Sequence, residues 1–212
     1  KLSWKIKESS RTCVFLRGWK GDKLSVHGDA VSNLFYGMPI NGYVALNMNA
    51  VAMINDAVGG VTVTVPEDMT QVDPSFAEGV AVTLTGDQAL KFTRYRDTEK
   101  DFSNNSRMER QKQYLVNFMG QAVKAMKADM GLPVSLYQSL TDDMVTNLSL
   151  DRSVYLATEA MDMHFTADGI VSLKAKSKKG SVYDEVYVDD DALYDLIIQT
   201  FYTEEQSEGE SK

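Results

Sequence analysis

Residues 42–65, GYVALNMNAVAMINDAVGGVTVTV, constrain the fold more than any other stretch of the chain. "GYVALNM" alternates apolar and polar residues and is rich in strand formers, as a half-buried strand requires. "NAVAMINDAVGG" opens on an asparagine suited to capping a helix and stops at Gly59 and Gly60. "VTVTV" alternates β-branched residues, so its valines share one face. Strand, helix and strand thus follow within about 25 residues, an order that layers helices on a sheet and predicts the α/β class.

The flanking sequence divides into further elements. The first 28 residues are polar and irregular, with little periodicity beyond "TCVFL". "DAVSNLFYG" predicts a short helix closed by Gly37. Residues 66–79 carry Pro66, Pro74 and Gly79 among acids and read as a surface loop. "VAVTLTG" reads as a strand, and "GDQALKFTRYR" starts as a helix. In "SRMERQKQYLVNFMGQAVKAMKADMG", Met108, Tyr114, Leu115, Phe118, Ala122, Ala125 and Met126 form most of one apolar stripe of a long helix that Gly131 ends. Beyond it come a short helical pattern in "PVSLYQSLTDDMV" and a helix capped by Ser149. Two strands around a Lys-Gly turn follow, then a helix whose start carries Asp189, Asp190 and Asp191. "TEEQSEGESK" is acidic and poor in apolar residues, the composition of a disordered tail.

Charge sharpens the functional question. The 212 residues carry a formal net charge of −8, which argues against general nucleic-acid binding. Yet four of the seven arginines, Arg94, Arg96, Arg107 and Arg110, fall within residues 94–111. Arg107, Arg110 and Gln111 are spaced i, i+3 and i+4, which puts them on one face in the first turns of the long helix, where backbone N–H groups also favour anions. Arg94 and Arg96 share a side only in extended chain, so the preceding helix is expected to end near Arg94. Guanidinium groups folded toward one point repel one another unless an anion lies between them, and each forks onto phosphate oxygens, so phosphate or pyrophosphate is the natural ligand. The competing reading is a solvated face, because Asp97, Glu99, Asp101 and Glu109 are interleaved with the arginines and could pair with them. Spacing alone leaves both open.

Other signals are weak. Cys13 is the one cysteine, so no intramolecular disulfide forms. His27 and His164 stand apart and without a nearby cysteine, so no transition-metal site is expected. The acids at 189–191 lack the loop spacing of an EF-hand, and "GG" at 59–60 reads as a turn. No stretch approaches eighteen apolar residues, no hydrophobic signal core opens the sequence, and the missing initiator Met is what a fragment would show.

"INDAVGGVTVTV", "LTGDQALKFTRYR", Asp101 and "SRMERQ", in that order, resemble the LytR-CpsA-Psr family of Gram-positive cell-wall proteins. The positions that carry the likeness are Asp56, Gly59, Gly60, Leu84, Gly86, Ala89, Leu90, Phe92, Arg94, Arg96, Asp101, Arg107, Arg110 and Gln111, within a match over about residues 30–125. The resemblance implies a central mixed β-sheet flanked by helices, with a C-terminal α+β extension. It also implies transfer of a wall glycopolymer, such as a teichoic acid or polysaccharide, from an undecaprenyl-pyrophosphate carrier to peptidoglycan. Arg94, Arg96, Arg107 and Arg110 would grip the pyrophosphate as catalytic and substrate-binding groups. Gln111 would donate to a phosphate oxygen, and Asp101 would orient an arginine. Phe92, Leu115, Phe118 and Met119 would line the pocket of the polyprenyl chain, and a magnesium ion would assist. The same resemblance places the protein on the extracellular face of the cytoplasmic membrane, in contact with the bilayer through the lipid carrier.

The family's N-terminal motifs, G-S-D-x-R, R-S-D-T and P-R-D, do not occur in this sequence, and Asp22 in "WKGDKL" matches none of them. The magnesium site is therefore expected to be missing and turnover by this chain impaired. The expected organisation is an unassigned segment 1–28, a partial core domain 29–128, a helical and strand extension 129–203 and an acidic tail 204–212. A non-catalytic polyprenyl-pyrophosphate-binding module is the first alternative. The transcriptional attenuator of older family naming is the second.

Overall fold

The structure, a computed structural model, describes residues 4–6, 13–17, 24–97, 103–179 and 184–204. In chain order the elements are β1 (Trp4–Ile6), β2 (Cys13–Arg17), α1 (Leu24–Leu34), β3 (Gly42–Leu46), α2 (Met48–Ala57), β4 (Val61–Thr64), β5 (Ala81–Leu84), α3 (Gly86–Arg94), α4 (Ser103–Ala128), α5 (Leu132–Ser139), β6 (Met144–Thr146), α6 (Leu150–Ala160), β7 (Ala175–Lys179), β8 (Asp184–Val188), α7 (Asp190–Phe201) and β9 (Tyr202–Glu204). The protein is of the α/β class, with its described strands divided among small sheets. Contacts gather the chain into two units, one of residues 14–21 and 42–170, the other of residues 1–13, 22–41 and 171–212.

In the first unit, residues 42–65 form β3, α2 and β4 as their pattern predicts. The cap of α2 is Asn47 rather than Asn49: its side chain accepts from the backbone N–H groups of Asn49 at 2.8 Å and Ala50 at 3.1 Å. Asn47 is tied there because its own N–H donates to the Asp143 carbonyl at 2.9 Å. The helix ends at Gly59 and Gly60, both at positive φ. At Gly60 a side chain is doubly excluded, since a Cβ would lie 2.9 Å from the Leu84 carbonyl oxygen. β4 then pairs antiparallel with β5, Val61 opposite Leu84 and Thr64 opposite Ala81, burying Val61 and Val63 and exposing Thr62 and Thr64.

Residues 66–79 form a loop, but not only a surface one. Met69 and Phe76 are fully buried, and the Phe76 ring meets Phe92 edge-on at 5.9 Å. A two-stranded ribbon cannot bury its own apolar face, so this loop closes over it together with α3 and α4. The resulting core holds Val58, Val61, Val63, Val65, Leu84 and Ala89 besides these residues. From α4, Tyr114, Phe118, Ala122 and Ala125 pack against it. Met108 and Leu115 are 43% and 46% exposed, so the apolar stripe read along this helix merges two faces. Polar residues also bind α4 to the ribbon: Asn117 Nδ2 donates to the Thr62 carbonyl at 2.8 Å, and Gln121 Nε2 to the Val58 carbonyl at 2.9 Å.

β2, β3 and β6 make a three-stranded sheet in which β3 and β6 run antiparallel. β6 has only three residues, inside a stretch that reads as helical, and tertiary pairing with β3 decides its state. In the second unit β1 pairs with β9 and β7 with β8, both antiparallel. Met38, Leu193 and Ile197 form its small core, with Phe35, Leu173, Val188, Phe201 and Tyr202 packed around them. Asp189 caps α7, accepting from the Ala192 N–H at 3.1 Å, and Asp190 and Asp191 occupy the first turn as their charges predict. α1 begins at Leu24, before the segment that reads as helical. The Lys-Gly turn and the tail beyond Glu204 lie outside the described residues.

One buttress of the 66–79 loop titrates. The Asp73 carboxylate accepts from Ser75 Oγ at 2.7 Å and the Ser75 N–H at 3.1 Å, with Gln88 Nε2 at 3.4 Å and Lys91 Nζ at 3.5 Å. Hydrogen bonds from Ser75 come first in holding its pKa below the ordinary carboxylate value. A depressed folded pKa contributes stability above the unfolded value of about 3.9, and that contribution is lost as pH falls through the folded value. Thermal melts should therefore show Asp73→Asn less stable than the parent at neutral pH, with the gap closing as pH falls below the unfolded carboxylate value of about 3.9. A gap that persists unchanged into acid contradicts this assignment.

Candidate functional site

Among the described residues, the arginine-rich stretch folds as the end of α3, an extended Tyr95 and the first part of α4. α3 is started by a capping box between Thr85 and Gln88. Gly86 lets it cross α2 closely, since a Cβ there would lie 2.6 Å from Asp56 Oδ2 and 2.7 Å from the Ala52 carbonyl oxygen. The helix ends at Arg94, and Tyr95 turns extended with φ −51° and ψ 135°, as the spacing of Arg94 and Arg96 requires.

Both of these arginines are exposed. Arg94 lines an open cavity of about 420 Å³ with Val72, Leu90, Lys91 and Tyr95. Arg107 is half-buried one turn before Arg110, and its charge lowers the proton affinity of Arg110. Arg110 itself is 1% exposed. Its Nε donates to the Phe92 carbonyl at 3.1 Å and its Nη2 to the Tyr95 carbonyl, while Nη1 pairs with the Glu67 carboxylate. The guanidinium also lies over the Tyr95 ring, 5.6 Å from its centre. Burial pushes the Arg110 pKa down and Glu67 pushes it back up; the group stays protonated at neutral pH because arginine starts so far above it. Gln111 Nε2 donates to the Thr93 carbonyl at 2.9 Å. Side chains of α4 thus satisfy carbonyls at the C-terminal end of α3, which no helical N–H can reach.

The structure therefore brings Arg110 and Gln111 onto the end of α3 from which Arg94 and Arg96 emerge, with Arg107 one turn before Arg110 on α4. Asp101 lies outside the described residues. Glu67 belongs to the same corner and has no mark in the sequence, since one of two adjacent acids after Pro66 gives no signal of a partner 43 residues away. The candidate lipid-lining residues divide. Phe92 is fully buried in the core and Phe118 packs against that core. Leu115 and Met119 instead line an apolar cavity of about 350 Å³ with Val116, His164, Phe165 and Ile170. Among the described residues no group of three or more His, Cys, Asp or Glu gathers as a metal would need.

Comparison with known proteins gives the corner its context. The model of the LytR_cpsA_psr family matches residues 21–198. The polyisoprenyl-teichoic acid–peptidoglycan teichoic acid transferase TagU of Bacillus cereus (strain AH820) is 48% identical over 75 residues, 34% of this chain and 24% of that protein. TagU of Halalkalibacterium halodurans is 31% identical over 125 residues, 58% of this chain and 39% of that protein. The matched stretch thus spans well under half the length of these curated relatives. Among solved structures, the Lin1025 protein from Listeria innocua superposes with a TM-score of 0.62 at 26% identity, covering 83% of this chain and 75% of that one. The crystal structure of B. subtilis TagU shares the fold with a TM-score of 0.56 at 22% identity, over 83% and 70% of the two chains. A family model that runs from α1 into α7, with solved relatives that share the fold, establishes that this chain belongs to the LytR_cpsA_psr family.

Proposed function

We propose that the protein acts in the transfer of a wall glycopolymer from an undecaprenyl-pyrophosphate carrier to peptidoglycan, with the pyrophosphate held at the α3–α4 corner. The observation that supports this reading is the packing of the arginine-bearing part of α4 on the end of α3, where Arg110 and Gln111 bond to the carbonyls of Phe92, Tyr95 and Thr93 beside Arg94 and Arg96, in a chain of net charge −8. The printed names of the curated relatives describe transfer of teichoic acid from a polyisoprenyl carrier to peptidoglycan, which is the same chemistry. Phosphoryl transfer spreads negative charge over the non-bridging oxygens, and fixed guanidinium donors stabilise that charge without reorganising. In this reading an acceptor hydroxyl of peptidoglycan attacks the glycopolymer-bearing phosphorus, the bridging P–O bond breaks, and polyprenyl phosphate leaves.

Gln111 and Asp101 keep the donor and orienting roles that the family likeness gives them. The cavity at Leu115 and Met119 is a candidate for contact with the isoprenoid chain. Magnesium is part of the family expectation; the described residues supply no cluster to hold it, and the reading assigns charge neutralisation to the arginines. The site would work at the outer face of the cytoplasmic membrane, on a lipid-anchored substrate. No helix among the described residues is long and apolar enough to cross a membrane.

The test is an assay with a polyprenyl-pyrophosphate-linked glycopolymer and peptidoglycan fragments, with and without magnesium. Binding of the carrier with slow transfer, present without magnesium, is the expected result. Binding with no transfer identifies a binding module, and failure to bind the carrier contradicts the reading.

A further inference from the structure

We propose that Glu67 and Arg110 are positioning residues, a buried brace that fixes where Arg94 and Arg96 leave α3 and does not itself touch the ligand. The proposal rests on the reading of this corner as a pyrophosphate site. It departs from the role that the motif alone would give Arg110.

The brace has three polar contacts besides the Tyr95 ring beneath the guanidinium, and all are internal. Arg110 donates to the carbonyls of Phe92 and Tyr95, which flank the residue where the chain leaves the helix. Holding both carbonyls fixes the direction of the exit, and Arg94 and Arg96 lie on either side of Tyr95. Tyr95 is held at its far end too, its hydroxyl accepting from Gln71 Nε2 at 2.8 Å. Glu67 completes the brace from the loop between β4 and β5. That loop is a firm wall: Val65 and Met69 on either side of Glu67 are fully buried, and their N–H groups donate to the carbonyls of Val80 and Phe76, each at 2.9 Å.

A direct role for Arg110 meets two physical obstacles. To reach a phosphate, the guanidinium would have to release the buried Phe92 carbonyl and the part-buried Tyr95 carbonyl, leaving both without this donor. It would also have to part from Glu67, whose carboxylate would then face the incoming anion and repel it. Glu67 is 34% exposed on its side chain, so its charge lies within reach of a ligand at this corner. A carboxylate built into the grip of a pyrophosphate is unfavourable unless its task is to hold an arginine for another purpose.

The two roles predict opposite signs for the loss of Glu67. If Arg110 gripped the ligand, removing Glu67 would free the guanidinium and remove a repulsive charge, and affinity would rise. If the pair is a brace, affinity falls because Arg94 and Arg96 lose their placement. The experiment titrates the full chain and its Glu67→Ala and Glu67→Gln variants with farnesyl pyrophosphate, where circular dichroism shows each to be folded. It also follows hydrogen exchange at the amides of Thr93, Arg94 and Tyr95. We expect Glu67→Ala to weaken binding about tenfold. Glu67→Gln, which keeps an acceptor oxygen, should weaken it less and serves alone if the alanine variant fails to fold. Exchange should quicken at 93–95 and stay unchanged in β4 and β5. Unchanged or tighter binding, or unchanged exchange at 93–95, overturns the brace. If the parent chain does not bind farnesyl pyrophosphate, the functional reading fails, and the exchange measurement alone decides the brace.

Discussion

Replacing Arg110 by Met lowers stability by about 3 kcal/mol, whereas the same change at Arg94, at the end of the preceding helix, moves it by less than about 0.5 kcal/mol. The contrast follows from burial. Arg110 is 1% exposed and holds two carbonyls and a carboxylate; Arg94 is exposed at a helix end. A methionine refills most of the stem volume, so the loss is chiefly electrostatic and polar. The buried Phe92 carbonyl loses its donor, at about 1–3 kcal/mol for a buried acceptor left unsatisfied, and the part-buried Tyr95 carbonyl loses one at smaller cost. Glu67 loses its partner but can turn to water, which keeps the total below the upper end for a broken buried pair. Arg110→Lys should recover only part of the loss, because an ammonium cannot fork between two carbonyls and a carboxylate. Urea denaturation measures all three variants. A loss below about 1 kcal/mol for Arg110→Met would show that water replaces the guanidinium and that the corner is less buried than described.

The sequence spoke clearly where a local rule decides the structure. The alternation in "VTVTV", the paired glycines at 59 and 60, and the acids opening α7 each act within a few residues, and each element formed where its pattern stands. Strands of three residues, such as β1, β6 and β9, carry too few positions to show a period, and distant partners decide them. Met69 and Phe76 sat unnoticed among prolines and acids because a loop that closes a core has no periodicity to reveal it. On α4 the apolar pattern is real but serves two faces, with Phe118 on the core and Leu115 turned toward a cavity.

The site was legible to the same depth. Spacing placed Arg94 at a helix end, where the structure has it, and Arg107 and Arg110 at a helix start, whereas α4 begins three residues before the expected Ser106, at Ser103. It could not show that Arg110 is buried, since burial of a charge depends on a partner, here Glu67, brought by the fold from another segment. The motif likeness named a set of residues; the geometry separates those that face solvent from one that holds the backbone beneath them.

Removing Arg94 and Arg96 together should weaken pyrophosphate binding about hundredfold or more, since a hydrogen bond to a charged group contributes about 1.5–3 kcal/mol and both side chains are lost. Adding Arg107→Ala should remove measurable binding. None of the three changes breaks the Arg110 contacts with Glu67, Phe92 and Tyr95, so the fold should survive them. The most direct measurement is therefore calorimetric titration of the parent chain and the Arg94→Ala/Arg96→Ala variant with farnesyl pyrophosphate, with farnesol as the uncharged control. The account predicts that the parent binds the pyrophosphate far more tightly than farnesol and that the double variant loses this preference. Equal binding of the two ligands by the parent, or an undiminished preference in the double variant, would contradict it.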